Sequence, residues 1–127
     1  MKIIGIGVDV VEIDRIAGSI ERHGHRFIQR IFTAAEQEYC AAMQRPAQSY
    51  AARFAAKEAV SKAFGTGIGA RVGWLDIEVK RKPSGEPFAL LHGSGATLAR
   101  DLGVRDVLLS LSHSQHYAVA NAVAIGD

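Results

Sequence analysis

Residues 50–64, YAARFAAKEAVSKAF, read as an alanine-rich helix of about four turns. Alanine loses no side-chain entropy on becoming helical, so the segment forms readily, but a helix this short persists only when packed on something else. Ser49 stands where a cap belongs, and Gly65 stands just past the last turn, where a left-handed residue closes a helix. The rest of the chain has to supply the surface on which this helix lies.

Residues 3–11, IIGIGVDVV, supply a first strand: they are rich in β-branched types, apolar residues alternate at 4, 6, 8 and 10, and Gly5 and Gly7 mark close backbone approach. Ile13, Ile16 and Ile20, then Phe27, Ile28 and Ile31, recur at helical spacing with Gly24 as a break between two pieces. Thr33-Ala-Ala-Glu36 is a capping box opening a further helix that should stop near Pro46. Beyond the glycine-rich residues 65–73, WLDIEVKR (74–81) and FALLHG (88–93) flank the turn signal KPSGEP and predict a hairpin. Residues 94–102 predict a short helix, and DVLLSLSHS (106–114) with YAVANAVAIG (117–126) a second hairpin. Strand, helices, hairpin, helix, hairpin is not a βαβ alternation. It predicts one α+β domain over 1–127, with a mainly antiparallel sheet packed against the long helix.

The 127 residues, 48% hydrophobic and 22% charged, suffice for one core without disulfides. Cys40 is the only cysteine, which excludes an internal disulfide and a cysteine-bound zinc module. The first residues, MKIIGIGVDVVEIDRI, are interrupted by Asp9 and Glu12 and have no small-residue cleavage site, so no signal peptide is expected. No apolar run reaches the ~18 residues of a membrane helix, and a cytoplasmic protein without a membrane partner is the expectation. Net charge is only +2, but between Arg15 and Arg30 four arginines, Arg15, Arg22, Arg26 and Arg30, face Glu21 alone.

Four places carry possible chemistry. Asp9 lies in an apolar strand, where an unpaired carboxylate is costly; it is either bonded to backbone amides or a hard oxygen ligand for a divalent cation. Phe54, Glu58 and Lys62 fall four apart on one helical stripe, beside Ser61 and Gly65 and running into the glycine-rich turn. They form either a solvated ion pair or a carboxylate and lysine suited to a metal-bridged polyphosphate. His113, among serines at a strand end, is a turn residue or a donor to an anion. The arginines form a solvated face or a docking strip for an acidic partner; few aromatics interleave them, which disfavours single-stranded nucleic acid. GIGVD lacks the third glycine of a dinucleotide fingerprint, and no GxxxxGK[ST] loop is present.

Taken together, IGIGVDVVEIDRI, RFAAKEAVSKAFGTGIG and LSLSHSQHYAVANAVA, in this order and spacing, resemble the three signature stretches of the holo-acyl-carrier-protein synthases, the small bacterial type of 4′-phosphopantetheinyl transferase. The connecting FTAAEQEYC, WLDIEV and PSGEPF resemble that family too, so the likeness spans nearly the whole chain. The resemblance implies transfer of 4′-phosphopantetheine from coenzyme A to a serine of an acyl carrier protein, with magnesium as the cation and fatty-acid biosynthesis as the setting. It implies metal binding by Asp9 and Glu58 and phosphate contact by Lys62. It places His113 near the 3′-phosphate, and Arg53, Ser61, Gly65 and Pro87 along the coenzyme A cleft. It gives carrier docking to Arg15, Arg22 and Arg26, with Phe27 as an apolar contact. Asp9, Glu58 or a metal-bound water could take the serine proton, with Glu36 a weaker candidate because the capping box explains it. A homo-oligomer, a trimer, is expected: one small core leaves little surface for a two-walled cleft, and the larger members of the family it resembles look like two such units joined in one chain. The alternative from a different class is a noncatalytic basic module that binds an acidic protein or nucleic acid.

Overall fold

The computed structural model describes residues 1–127. Strand β1 (Lys2–Glu12) runs straight into helix α1 (Ile13–His23); α2 (His25–Ile31), α3 (Ala34–Ala41) and the long α4 (Pro46–Ala63) follow. Then come a single 3₁₀ turn (Trp74–Asp76), the strands β2 (Ile77–Arg81) and β3 (Pro87–Leu91), α5 (Gly93–Leu102), and the strands β4 (Asp106–His113) and β5 (Tyr117–Gly126). The strands form two antiparallel sheets, three-stranded β1-β5-β4 and two-stranded β2-β3.

Small residues set how closely α4 lies on the larger sheet. Ala51, Ala52, Ala55, Ala56, Ala59 and Ala63 are buried along the helix, and Ala118, Ala120, Ala122 and Ala124 are buried on the facing side of β5. On β1 the approach is closer still. A Cβ at Gly5 would collide with the carbonyl oxygen of Ala63, and one at Gly7 with that of Ala59, so only glycine permits this seam. The apolar residues that alternate with the glycines therefore point away from the helix, and Ile6, Val8 and Val10 are 70%, 57% and 59% exposed.

The capping box forms as expected: the Thr33 side chain accepts from Glu36 N–H, and Glu36 Oε1 accepts from Thr33 N–H at 2.9 Å. Its helix ends earlier than the sequence suggested, at Ala41, and α4 begins earlier, at Pro46 rather than after Ser49. Proline lacks only an N–H that the first turn leaves unbonded in any case, so it suits the first helical position. Ser49 falls inside the helix, and its hydroxyl accepts from Arg53 Nη1 at 3.1 Å. The first hairpin also starts later, because Asp76 accepts from Gly73 N–H at 2.8 Å and holds residues 74–76 in a turn.

Candidate active site

The seam between β1 and α4 gathers the carboxylates that the sequence singled out. Asp9 lies two residues beyond Gly7, on the same face of the strand, and so turns toward α4. Lys62 Nζ donates to Asp9 Oδ1 at 3.0 Å and to the Val8 carbonyl at 3.1 Å. Glu58, one helical turn before Lys62, is half-buried. Burial raises its carboxyl above the ordinary value, the charge of Asp9 adds to that, and Lys62 works against both. Two carboxylates that feel each other's charge are a poor cage for a cation demanding only protein ligands, and no cluster of three metal-ligating side chains occurs. They fit magnesium, which keeps waters and substrate phosphates in its shell and needs only one or two carboxylates.

A second constellation lies along the start of α4. An open cleft is lined by Tyr39, Arg45, Gln48, Arg53, Arg81 and His113. Arg53 is only 2% exposed and stacks on Tyr39, its guanidinium carbon 4.0 Å from the ring centre. It has no carboxylate partner: its Nη1 donates to Ser49, and its Nε has no hydrogen-bond acceptor. A buried guanidinium without a counter-ion is costly, and the cleft wall it forms is suited to an anion.

The two constellations look out from opposite flanks of the chain. β1 and β4 are the outer strands of the sheet with β5 between them, so Asp9 and His113 lie on different edges, about two strand spacings of ~4.8 Å apart. On α4, Arg53 precedes Lys62 by two and a half turns, which puts them on opposite sides of the helix.

Of the other residues carried from the sequence, Arg15, Arg22 and Arg26 are exposed and make no ion pair, while Phe27 is half-buried, packing edge-on against Phe32 at 6.4 Å between ring centres. Gly65 follows α4 at φ 82°. Pro87 opens β3 opposite Arg81, next to the cleft. Ser61 is fully buried and its hydroxyl donates to the Glu58 carbonyl at 2.7 Å. Its carbonyl accepts from Thr66 and Gly67 N–H and closes the glycine-rich turn. Glu36 is removed from chemistry, because it is buried and paired with Lys57. Tyr39, Arg45 and Arg81 had not been singled out; the signal was an arginine before a helix-opening proline and another at the end of an alternating strand.

The chain belongs to the 4′-phosphopantetheinyl transferase superfamily, whose family model matches residues 5–121. Within it, the chain is 50% identical over 121 residues to the holo-[acyl-carrier-protein] synthase of Koribacter versatilis, covering 95% of this chain and 97% of that one. Its fold matches the crystal structure of the holo-[acyl-carrier-protein] synthase from Neisseria meningitidis with a TM-score of 0.91 at 33% identity, over 97% of this chain and 98% of that one. The enzyme from Bacillus anthracis, solved in complex with CoA (3′,5′-ADP), matches with a TM-score of 0.84 at 37% identity over 100% of both chains. The α+β fold expected from the sequence is the fold of these relatives.

Proposed function

We propose that this chain transfers 4′-phosphopantetheine from coenzyme A to a serine hydroxyl of an apo-acyl carrier protein, releasing holo-carrier and adenosine 3′,5′-bisphosphate. The observation that carries this reading is the meeting of Asp9, Glu58 and Lys62 at the glycine-only seam, in a chain whose relatives bear the synthase name. Attack of the serine on the β-phosphorus builds charge on the nonbridging and leaving oxygens. Asp9 and Glu58 would hold a magnesium ion, which when bound would supply Lewis-acid stabilisation of that charge. Lys62 reaches the same oxygens from the next turn of α4 and neutralises them. Either carboxylate of the seam, Asp9 or Glu58, is placed to accept the serine proton.

The nucleotide end of coenzyme A falls to the arginine cleft, with Arg53 and His113 at its 3′-phosphate and Gly65 and Pro87 beside the path. Because cleft and carboxylates face opposite flanks, the working form is a homo-oligomer, a trimer, in which the cleft of one subunit meets the seam of the next. The exposed apolar face of the sheet, Ile6, Val8 and Val10 with Leu108 of β4, supports this, since an uncovered stripe of that kind is disfavoured in water. Arg15, Arg22 and Arg26 dock the acidic carrier, with the exposed part of Phe27 as apolar contact. We place the reaction in the cytoplasm, where a lone buried thiol such as Cys40 stays reduced; no helix of the chain is long and apolar enough to cross a membrane.

The test is to incubate an apo-carrier with the protein, coenzyme A and magnesium and weigh the carrier. A mass gain of one phosphopantetheine, lost when magnesium is chelated, is the expected result. An unmodified carrier beside a control synthase that modifies it would overturn the reading.

A further inference from the structure

The Lys62 ammonium holds one oxygen of the carboxylate pair. Two of its three N–H groups are used, on Asp9 Oδ1 and on the Val8 carbonyl, and the third is free. The Lys62 side chain is 45% exposed while that of Asp9 is 17% exposed, so the lysine sits at the mouth of the site on a flexible stem and the carboxylate sits behind it. Lysine and a divalent cation together would set three positive charges against the two negative charges of Asp9 and Glu58. A diphosphate changes that balance, because its oxygens accept from the ammonium and also enter the shell of the cation.

We infer that Lys62 and the divalent cation compete for Asp9 Oδ1, and that the diphosphate of the substrate resolves the competition by drawing the lysine off Asp9. This rests on the transferase reading and adds a regulation to it. Cation and diphosphate then bind as a coupled pair, each raising the affinity of the other by the same factor. Lys62 is a cation gate as well as a phosphate contact: it keeps magnesium weakly held until a diphosphate arrives.

The test is calorimetric titration of magnesium into the wild type, Lys62→Met and Lys62→Arg, each with and without coenzyme A. Without coenzyme A, Lys62→Met should bind magnesium about fivefold more tightly than the wild type, the order of an exposed ion pair removed. Lys62→Arg, which keeps a charge able to pair with Asp9, should stay near the wild type. Coenzyme A should raise magnesium affinity by a larger factor in the wild type than in Lys62→Met. Magnesium affinity in Lys62→Met equal to or below that of the wild type would overturn the inference while leaving the transferase reading intact. A wild type that binds neither coenzyme A nor magnesium in its presence would overturn both.

Discussion

Lys57 Nζ lies 2.6 Å from Glu36 Oε1, and neither side chain reaches solvent. The pair is a junction. Lys57 also donates to the carbonyls of Ile31 and Trp74 at 2.8 and 2.9 Å, and Glu36 accepts from the N–H groups of Thr33 and Val79. It thereby fixes α4 against α2, α3 and β2, and Lys57 precedes the Glu58 of the seam by one residue. Burial lowers the Lys57 pKa, and the charge and hydrogen bond of Glu36 oppose the shift. Lys57→Met leaves a buried carboxylate without its partner and should cost about 3–5 kcal/mol in urea unfolding. A single variant as stable as the wild type would show that the junction does not hold the helix.

The seam makes a second prediction. Gly7→Ala places a methyl group against the Ala59 carbonyl, so strand and helix must part, at a cost of ~1–3 kcal/mol or more, and Asp9 moves away from Glu58. Gly69→Ala, where nothing lies within 4 Å and φ is not positive, is the control and should leave melting temperature and turnover unchanged. Equal stability and turnover in the two variants would remove the close-approach argument.

How far the sequence alone reached follows from which interactions are local. The capping box at Thr33 and the second hairpin were legible because each rests on neighbours within a turn or a strand; the two glycines of β1 and the α4 stripe were legible as patterns, although their contacts with Ala59, Ala63 and Asp9 are tertiary. The start of α4 was misplaced because two local signals competed, a serine able to cap and a proline able to begin a helix, and the proline prevailed. That the Ser61 hydroxyl turns back on its own helix is something spacing cannot reveal. Lys57 and Glu36 are 21 positions apart, and only the packing of α3 on α4 brings them together. The arginine cleft was half-visible, through Arg53 and His113; Tyr39 and Arg81 come from elements that only tertiary packing brings to α4, whereas Arg45 directly precedes α4 itself.

Glu58→Gln separates stability from function. Because burial and Asp9 raise the folded-state pKa of Glu58, the protonated form is favoured on folding. The contribution of Glu58 to stability is therefore intact below its unfolded pKa, and is lost as pH rises through the raised folded value. Melting temperatures of wild type and Glu58→Gln should coincide in acid, and the variant should be the more stable at neutral pH, while its turnover falls by at least about 100-fold. A variant less stable at neutral pH, or fully active at ordinary magnesium, would contradict the assignment.

The arginine strip makes a kinetic prediction. Arg22→Glu or Arg26→Glu should raise the KM for the carrier about tenfold and flatten its salt dependence, with little change in the KM for coenzyme A, because unpaired surface charges steer encounter rather than chemistry. An unchanged carrier KM would assign these arginines to solvation.

The central claim is that one working site joins the Asp9–Glu58–Lys62 seam of one subunit to the Arg53–His113 cleft of its neighbour. The most direct measurement mixes two disabled proteins, Glu58→Gln and His113→Ala, each inactive alone, under conditions where native mass spectrometry shows their subunits exchanging. Mixed oligomers then contain sites with both native residues, about a quarter of all sites by random assortment in a closed ring, and carrier modification should recover toward that fraction of wild type. No recovery after demonstrated exchange, or a fully active monomer by light scattering at assay concentration, would contradict the shared site.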